Sequence, residues 1–167
     1  ISFGLATAGA SDGNGLMTYL QDPAIAVTGR WYHVAAVYDG AQMRLYVNGI
    51  QTASSNVQSG DIRYDPASRF TIGAYRDANE FTLFKGTMDE VRLWQKALAP
   101  DEIRGWMFRE ASATHPSFAS LISCWNFDQA MGSTINDITG VNPAANHGLG
   151  AGAGVRSTAP VGNTGAL

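Results

Sequence analysis

The residues best suited to chemistry are a set of aromatics and polar groups in the middle of the chain: Tyr64, Tyr75, Arg76, Asp77, Asn79 and Phe81. They cluster around two loops, 59–68 and 76–80, rich in Asp, Arg and Tyr. Flat aromatic faces stack on pyranose rings, and side-chain amides, carboxylates and guanidinium groups read sugar hydroxyls. This pattern predicts saccharide recognition at the rim of a sheet, weighed against an ordinary solvated loop.

Other reactive side chains read as structure. Gly9-Ala10-Ser11-Asp12-Gly13 matches G-x-S-x-G, but a nucleophile elbow leads from a strand into a helix. Here a strand-like run, 16–20, follows instead. The run 148–154 alternates Gly with Leu and Ala, yet no helix follows to supply the dipole of a phosphate-binding loop. His33, His115 and His147 are scattered, with no zinc spacing. The lone Cys124 stands in an apolar run, Ile122-Ser123-Cys124-Trp125, and reads as a buried, inert thiol. Trp31, Trp94, Trp106 and Trp125 occupy core-like positions.

These groups must be positioned by strands. The chain has 167 residues, enough for one domain with a proper core. Charged residues make up 15%, low against about 25% for globular domains, which suits an all-β domain with many tight turns. A net charge of −3 offers no footprint for nucleic acid or an anionic membrane. No apolar run approaches the roughly 20 residues of a membrane span. No basic leader precedes ISFGLATAG, so the sequence reads as a mature or trimmed form.

Turn signals divide the first half into short strands: 1–7 and 16–20 around Asp12-Gly13-Asn14-Gly15, then 31–38, 43–47 and 50–57. Asp39-Gly40 and Asn48-Gly49 tolerate the positive φ of type I′ turns and predict a three-stranded meander. Residues 43–47 alternate like a strand with one wet face, whereas 32–38 are apolar on both faces and predict a mid-sheet strand. Residues 69–75 read as a further strand and 81–94 as one or two more. One helix is expected at Pro100, with Asp101 and Glu102 at its positive end and Ile103, Trp106 and Met107 on one face. Residues 111–116 read as a connector.

The stretch Gly86-Thr87-Met88-Asp89-Glu90-Val91-Arg92-Leu93-Trp94, followed by Ala97-Leu98 and Glu102-Ile103, resembles the closing signature of laminin-G-like domains of the concanavalin A-like lectin/glucanase superfamily. Trp31-Tyr32-His33-Val34-Ala35, Tyr38-Asp39-Gly40, the run Arg44 to Gly49 and Ile72-Gly73 stand in the family's order. The resemblance implies an all-β, concanavalin-like jelly-roll sandwich of two antiparallel sheets with one short helix. It divides the chain into a laminin-G-like core, 1–110, and an appended segment, 111–167, whose Trp125-Asn126-Phe127-Asp128 resembles the opening or tail of such a unit. The family's opening strands, with a motif like F-D-G-x-D-D-Y, do not occur. Either the sequence is a fragment of a longer protein, the reading preferred here, or the WNFDQ segment takes the missing positions. Unpaired strand edges in such a sandwich imply self-association or pairing with a missing N-terminal segment.

By the same resemblance Asp89 is the position for a bound calcium ion, ahead of Asp128 and Asp137, whose settings suit turns. Calcium takes about 6–8 oxygens, so one Asp needs help from carbonyls. Hydrolases share the fold, but retaining glycosidases need two carboxyl groups about 5 Å apart. The four Glu residues, Glu80, Glu90, Glu102 and Glu110, do not form the usual E-x-D-x-x-E strand motif. The expectation is therefore a non-catalytic recognition module of a secreted or cell-surface bacterial protein. Its partner is a glycan or a surface protein, with no nucleic acid and no membrane insertion. A structural or adhesion module is the alternative and a glycoside hydrolase the less favoured one.

Overall fold

The computed structural model describes residues 1–8, 17–64, 70–76, 81–128, 134–139 and 148–149, the backbone alone at 76, 134, 148 and 149. The strands are β1 (Ser2–Leu5), β2 (Thr18–Gln21), β3 (Val34–Tyr38), β4 (Met43–Val47), β5 (Ile50–Ser55), β6 (Ala74–Arg76), β7 (Phe81–Leu83), β8 (Val91–Trp94), β9 (Leu121–Trp125), β10 (Thr134–Ile135) and β11 (Gly148–Leu149). Helix α1 (Pro100–Trp106) follows β8, and a 3-10 turn covers Phe118–Ser120, just beyond the connector expected at 111–116. Every pairing is antiparallel, so the all-β expectation holds. The described residues form two compact units: those of Ile1–Tyr64 with Lys96–Ser120, and those of Asp65–Gln95 with Leu121–Ala159.

In the first unit β3, β4 and β5 form the expected meander, in that order. The Asn48-Gly49 turn joins β4 to β5 with two residues, both at positive φ (51° and 75°), as type I′ geometry requires. Asn48 also accepts the amide of His33 through Oδ1 (2.9 Å), tying the turn to the entry of β3. The Asp39-Gly40 connection is different from expectation. It spans 39–42, because the Asp39 carboxylate accepts the amides of Ala41 (3.0 Å) and Gln42 (2.8 Å) and holds a wider loop. The expected loop between β1 and β2 lies outside the described residues.

The roles expected of two strands are exchanged. β3, read as mid-sheet, is an edge of this sheet, with Val34 45% exposed. β4, read as half wet, is central and almost wholly buried. In a meander the middle strand in sequence pairs on both sides, whatever its polarity. Met43, Leu45 and Val47 pack with Leu5 and Leu20 of the β1–β2 sheet. On the opposite face Tyr46 packs with Val37 and with Ile103 of α1. Tyr46 keeps its hydroxyl satisfied on Gln51 (3.2 Å), and Arg44 reaches Asp39 and Gln42, so both polar tips escape while their stems are covered.

Helix α1 begins as expected, with Pro100 at the first turn and Glu102 reaching back to the Ala99 amide (2.8 Å). Ile103 is its buried residue, and Trp106 and Met107 are half-buried beside it.

In the second unit β6 pairs with β7 and β8 with β9. The strand expected at 69–75 starts only at Ala74. Gly73 has φ 77° and Thr71 donates its hydroxyl to the Ala74 carbonyl (2.9 Å), so the preceding residues turn. β9 brings the Leu121–Trp125 segment directly onto the β8 signature strand. Trp125 is buried and stacks with Phe70 (centroids 5.5 Å apart), whereas Trp31, Trp94 and Trp106 are only half-buried.

Candidate functional site

A shallow depression of about 580 Å³ opens in the first unit, lined by Tyr38, Gly40, Gly60, Asp61, Ile62 and Tyr64. Three chain segments build it. The first is the 39–42 connection, whose Gly40 carbonyl accepts the Gly60 amide (2.8 Å). The second is the end of β3, from which Tyr38 donates its hydroxyl to the Gly60 carbonyl (2.7 Å). The third is the 58–64 segment itself, bridged at Ile62 to Thr7 and bonded from the Arg63 amide to the Ala6 carbonyl (2.9 Å).

A buried polar knot anchors that segment. Gln58 Oε1 accepts both the amide (2.7 Å) and the hydroxyl (2.9 Å) of Thr7, and its Nε2 donates to Thr18 (2.8 Å). Ser59 then donates its amide to Thr7 Oγ1 (3.2 Å). Buried polar groups satisfied in this way hold the segment in place, together with Ile62, which packs against the cluster of Leu5, Leu20 and Leu45.

Two of the lining residues are exposed glycines. Gly40 and Gly60 both have positive φ (92° and 76°), and nothing beyond their chain neighbours lies within 4 Å of where a Cβ would stand. Tyr64 stands at the rim, 79% exposed. Burial first, then the carboxylates of Asp39 and Asp61, hold the Tyr38 phenol above its ordinary pKa. Asp39 is itself held below the ordinary carboxylate range by the Ala41 amide, the Arg44 side chain and the Gln42 amide.

The expected recognition residues divide between the two units. Tyr64 belongs to the first. Tyr75 and Phe81 lie on β6 and β7 of the second, 53% and 61% exposed, with Arg76 paired to Phe81 in register. The Arg76 side chain, Asp77 and Asn79 lie outside the described residues. Sequence reasoning passed over Tyr38, Gly40, Gly60 and Ile62, and gave no separate weight to Asp61. The Asp-Gly pair at 39–40 was the available signal, but it pointed equally to a plain turn.

Asp89, the expected calcium position, is partly buried, and its Oδ1 is enclosed without a hydrogen-bond partner. An oxygen so placed fits one ligand position of a calcium ion. No group of three or more His, Cys, Asp or Glu residues converges among the described residues, so most of the further oxygens would be carbonyls, amides, hydroxyls or water. Asp137 is engaged otherwise: its Oδ1 accepts the amides of Cys124 (3.0 Å) and Thr139 (3.0 Å) and the Thr139 hydroxyl (2.8 Å). Asp128 pairs with the Asn126 amide group (3.1 Å).

Of the Glu residues, Glu90 and Glu102 are engaged in structural contacts. Glu90 binds Arg92 through two contacts (3.0 and 2.5 Å). Glu102 accepts Ser117 and the Ala99 amide and faces Lys96 (3.5 Å). Ser117 and Lys96 are adjacent (2.5 Å), but Ser117 is buried and Lys96 is ion-paired with Glu102. This trio fastens the start of α1 to the 115–120 segment, and Ser117 also donates its amide to His115 Nδ1 (3.0 Å). Cys124 is fully buried; desolvation raises its thiol to about 11, as an inert core residue requires.

Comparison with known proteins follows the same lines. The family model for the concanavalin A-like lectin/glucanases superfamily matches residues 4–104. Mouse pappalysin-1 (Mus musculus) is 32% identical over 100 residues, and human pappalysin-1 (Homo sapiens) 31% over 100 residues. These matches cover 60% of this chain but only 6% of pappalysin-1. A crystal structure of a candidate carbohydrate binding protein from Bacteroides ovatus superposes with a TM-score of 0.59 at 30% identity, over 75% of this chain and 36% of that one.

Proposed function

This chain belongs to the concanavalin A-like lectin/glucanase superfamily, and from that premise we propose that it is a non-catalytic carbohydrate-recognition module of a secreted or cell-surface protein. The observation that carries the reading is the first-unit depression, lined by the exposed Tyr64, by Asp61 and by two glycines with open space where a side chain would stand. A sugar ring approaches closely where side chains are absent, stacks on an aromatic face and presents hydroxyls to a carboxylate. The likeness to the Bacteroides ovatus protein supports the same reading. Tyr75 and Phe81, exposed on the paired strands β6 and β7 of the other unit, are a second proposed contact, with Arg76, Asp77 and Asn79 as candidates from the sequence. Engagement of Glu90 and Glu102 elsewhere supports binding over hydrolysis.

Calcium at Asp89 is part of the proposal and rests on the enclosed, unpartnered Oδ1. Asp89 would supply one anionic ligand there, and the ion would neutralise that buried oxygen. No helix among the described residues is long and apolar enough to cross a membrane.

The test is a glycan array probed with the purified chain, with calcium and again with EDTA, beside Tyr64→Ala and Asp89→Asn variants. Saccharide binding weakened about tenfold by Y64A supports the reading. Binding lost in EDTA and in D89N ties it to the metal, and silence of a folded sample overturns it.

A second reading, an adhesion module that binds a surface protein, draws on the second unit. There Phe70, Tyr75, Phe81, Leu83 and Phe84 are all exposed. Array silence combined with binding that is lost in Phe81→Ser would favour it.

A further inference from the structure

We propose that Asp61 sets the charge selectivity of the depression, so that it takes uncharged saccharides and rejects sulfated or uronic ones. The inference rests on the carbohydrate reading above and goes on to name the ligand class. Two carboxylates, Asp39 and Asp61, act on Tyr38 of the depression, and only one is neutralised. Asp39 is paired with Arg44 at 2.5 Å. Asp61 lines the depression and, among the described residues, has no basic side chain within ion-pair distance.

The field of both carboxylates reaches the wall opposite, since Asp39 and Asp61 each disfavour ionisation of Tyr38. Tyr38 cannot relieve it, because its hydroxyl proton is already donated to the Gly60 carbonyl (2.7 Å). The Gly60 amide is likewise spent on the Gly40 carbonyl (2.8 Å), so neither group is left to greet an anion. Arg44 is bound to Asp39 and Gln42, and Arg63, exposed two residues beyond Asp61, is not among the residues that line the depression.

What remains for a ligand is an acceptor carboxylate at Asp61, an aromatic face at Tyr64 and open space above Gly40 and Gly60. That set suits a ring with neighbouring hydroxyls, which donate to a carboxylate in charge-assisted hydrogen bonds. A sulfate or carboxylate on the sugar would face Asp61 with like charge, and like-charge juxtaposition is a means of rejecting wrong partners.

Titration calorimetry of the chain with cello-, manno- and chito-oligosaccharides and with a heparin hexasaccharide tests this, using native protein, Asp61→Asn and Tyr64→Ala. The expected result is binding of at least one neutral oligosaccharide and at least tenfold weaker binding of heparin, a gap that narrows at about 0.5 M salt. D61N should lower the neutral affinity about tenfold and raise heparin binding, while thermal melting stays unchanged. Neutral binding that is insensitive to D61N, or heparin binding as tight as the neutral ligands, overturns the selectivity while leaving carbohydrate recognition standing. Silence across the whole panel overturns both.

Discussion

Gln58 accepts the backbone amide of Thr7 at 2.7 Å although 51 residues separate them, and both side chains are fully buried. The same carboxamide oxygen takes the Thr7 hydroxyl, and its nitrogen serves Thr18. This bond sets where the Ser59–Tyr64 segment leaves the sheet, and so where Asp61 and Tyr64 stand. Replacing Gln58 by Leu strands the Thr7 amide and hydroxyl in the interior. The expected loss is about 1–3 kcal/mol by urea denaturation, with weaker saccharide binding although no ligand-facing atom has changed.

The exchange of roles between β3 and β4 gives a direct contrast. Leu45, fully buried in the central strand, should cost about 2–5 kcal/mol when cut to Ala. Val34, 45% exposed on the edge strand, should cost less than about 1 kcal/mol for the same change. Equal losses from the two variants in denaturant melts would return β3 to the middle of the sheet.

Acid should destabilise the chain through three carboxylates held below their ordinary range. Asp39 is lowered by the Ala41 amide, Arg44 and the Gln42 amide, and Glu102 by the Ser117 hydroxyl and the Ala99 amide. At Asp137 burial acts upward, but bonds from Cys124, Thr139 and Ser123 together outweigh it. A depressed folded pKa contributes stability above the unfolded value that is lost as pH falls through the folded one. The melting temperature should therefore hold above about pH 5 and decline below about pH 4. Asp39→Asn should flatten part of that decline.

Cys124 should be silent to maleimide at pH 8 in the folded chain and react fully once urea unfolds it. Burial raises its thiol from an ordinary 9.0 to about 11. The sign at alkaline pH is the reverse of the acid case: this contribution is present below 9.0 and lost as pH rises through about 11. Rapid labelling of a folded sample at pH 8 would show the β9 core to be open.

Features governed by neighbours in the chain were legible in the sequence. Asn48-Gly49 dictates a type I′ turn because only its own two residues must accept positive φ. Pro100 and Glu102 start α1 through contacts reaching no further than Ala99. The order of family motifs from Trp31 to Ile103 identified the superfamily, since it records many such local constraints at once. Sheet position was not legible, because whether β4 is wet or covered depends on α1 and on β1–β2, which arrive from far along the chain. Nor was the depression, which needs Gly40 beside Gly60 and Thr7 beside Gln58. Such pairs are brought together by burial and hydrogen bonding across long loops, and residue type alone carries no record of which distant partner will be met. Sequence determined the kind of fold and the chemistry on offer; tertiary structure decided which aromatic and which carboxylate line the same depression.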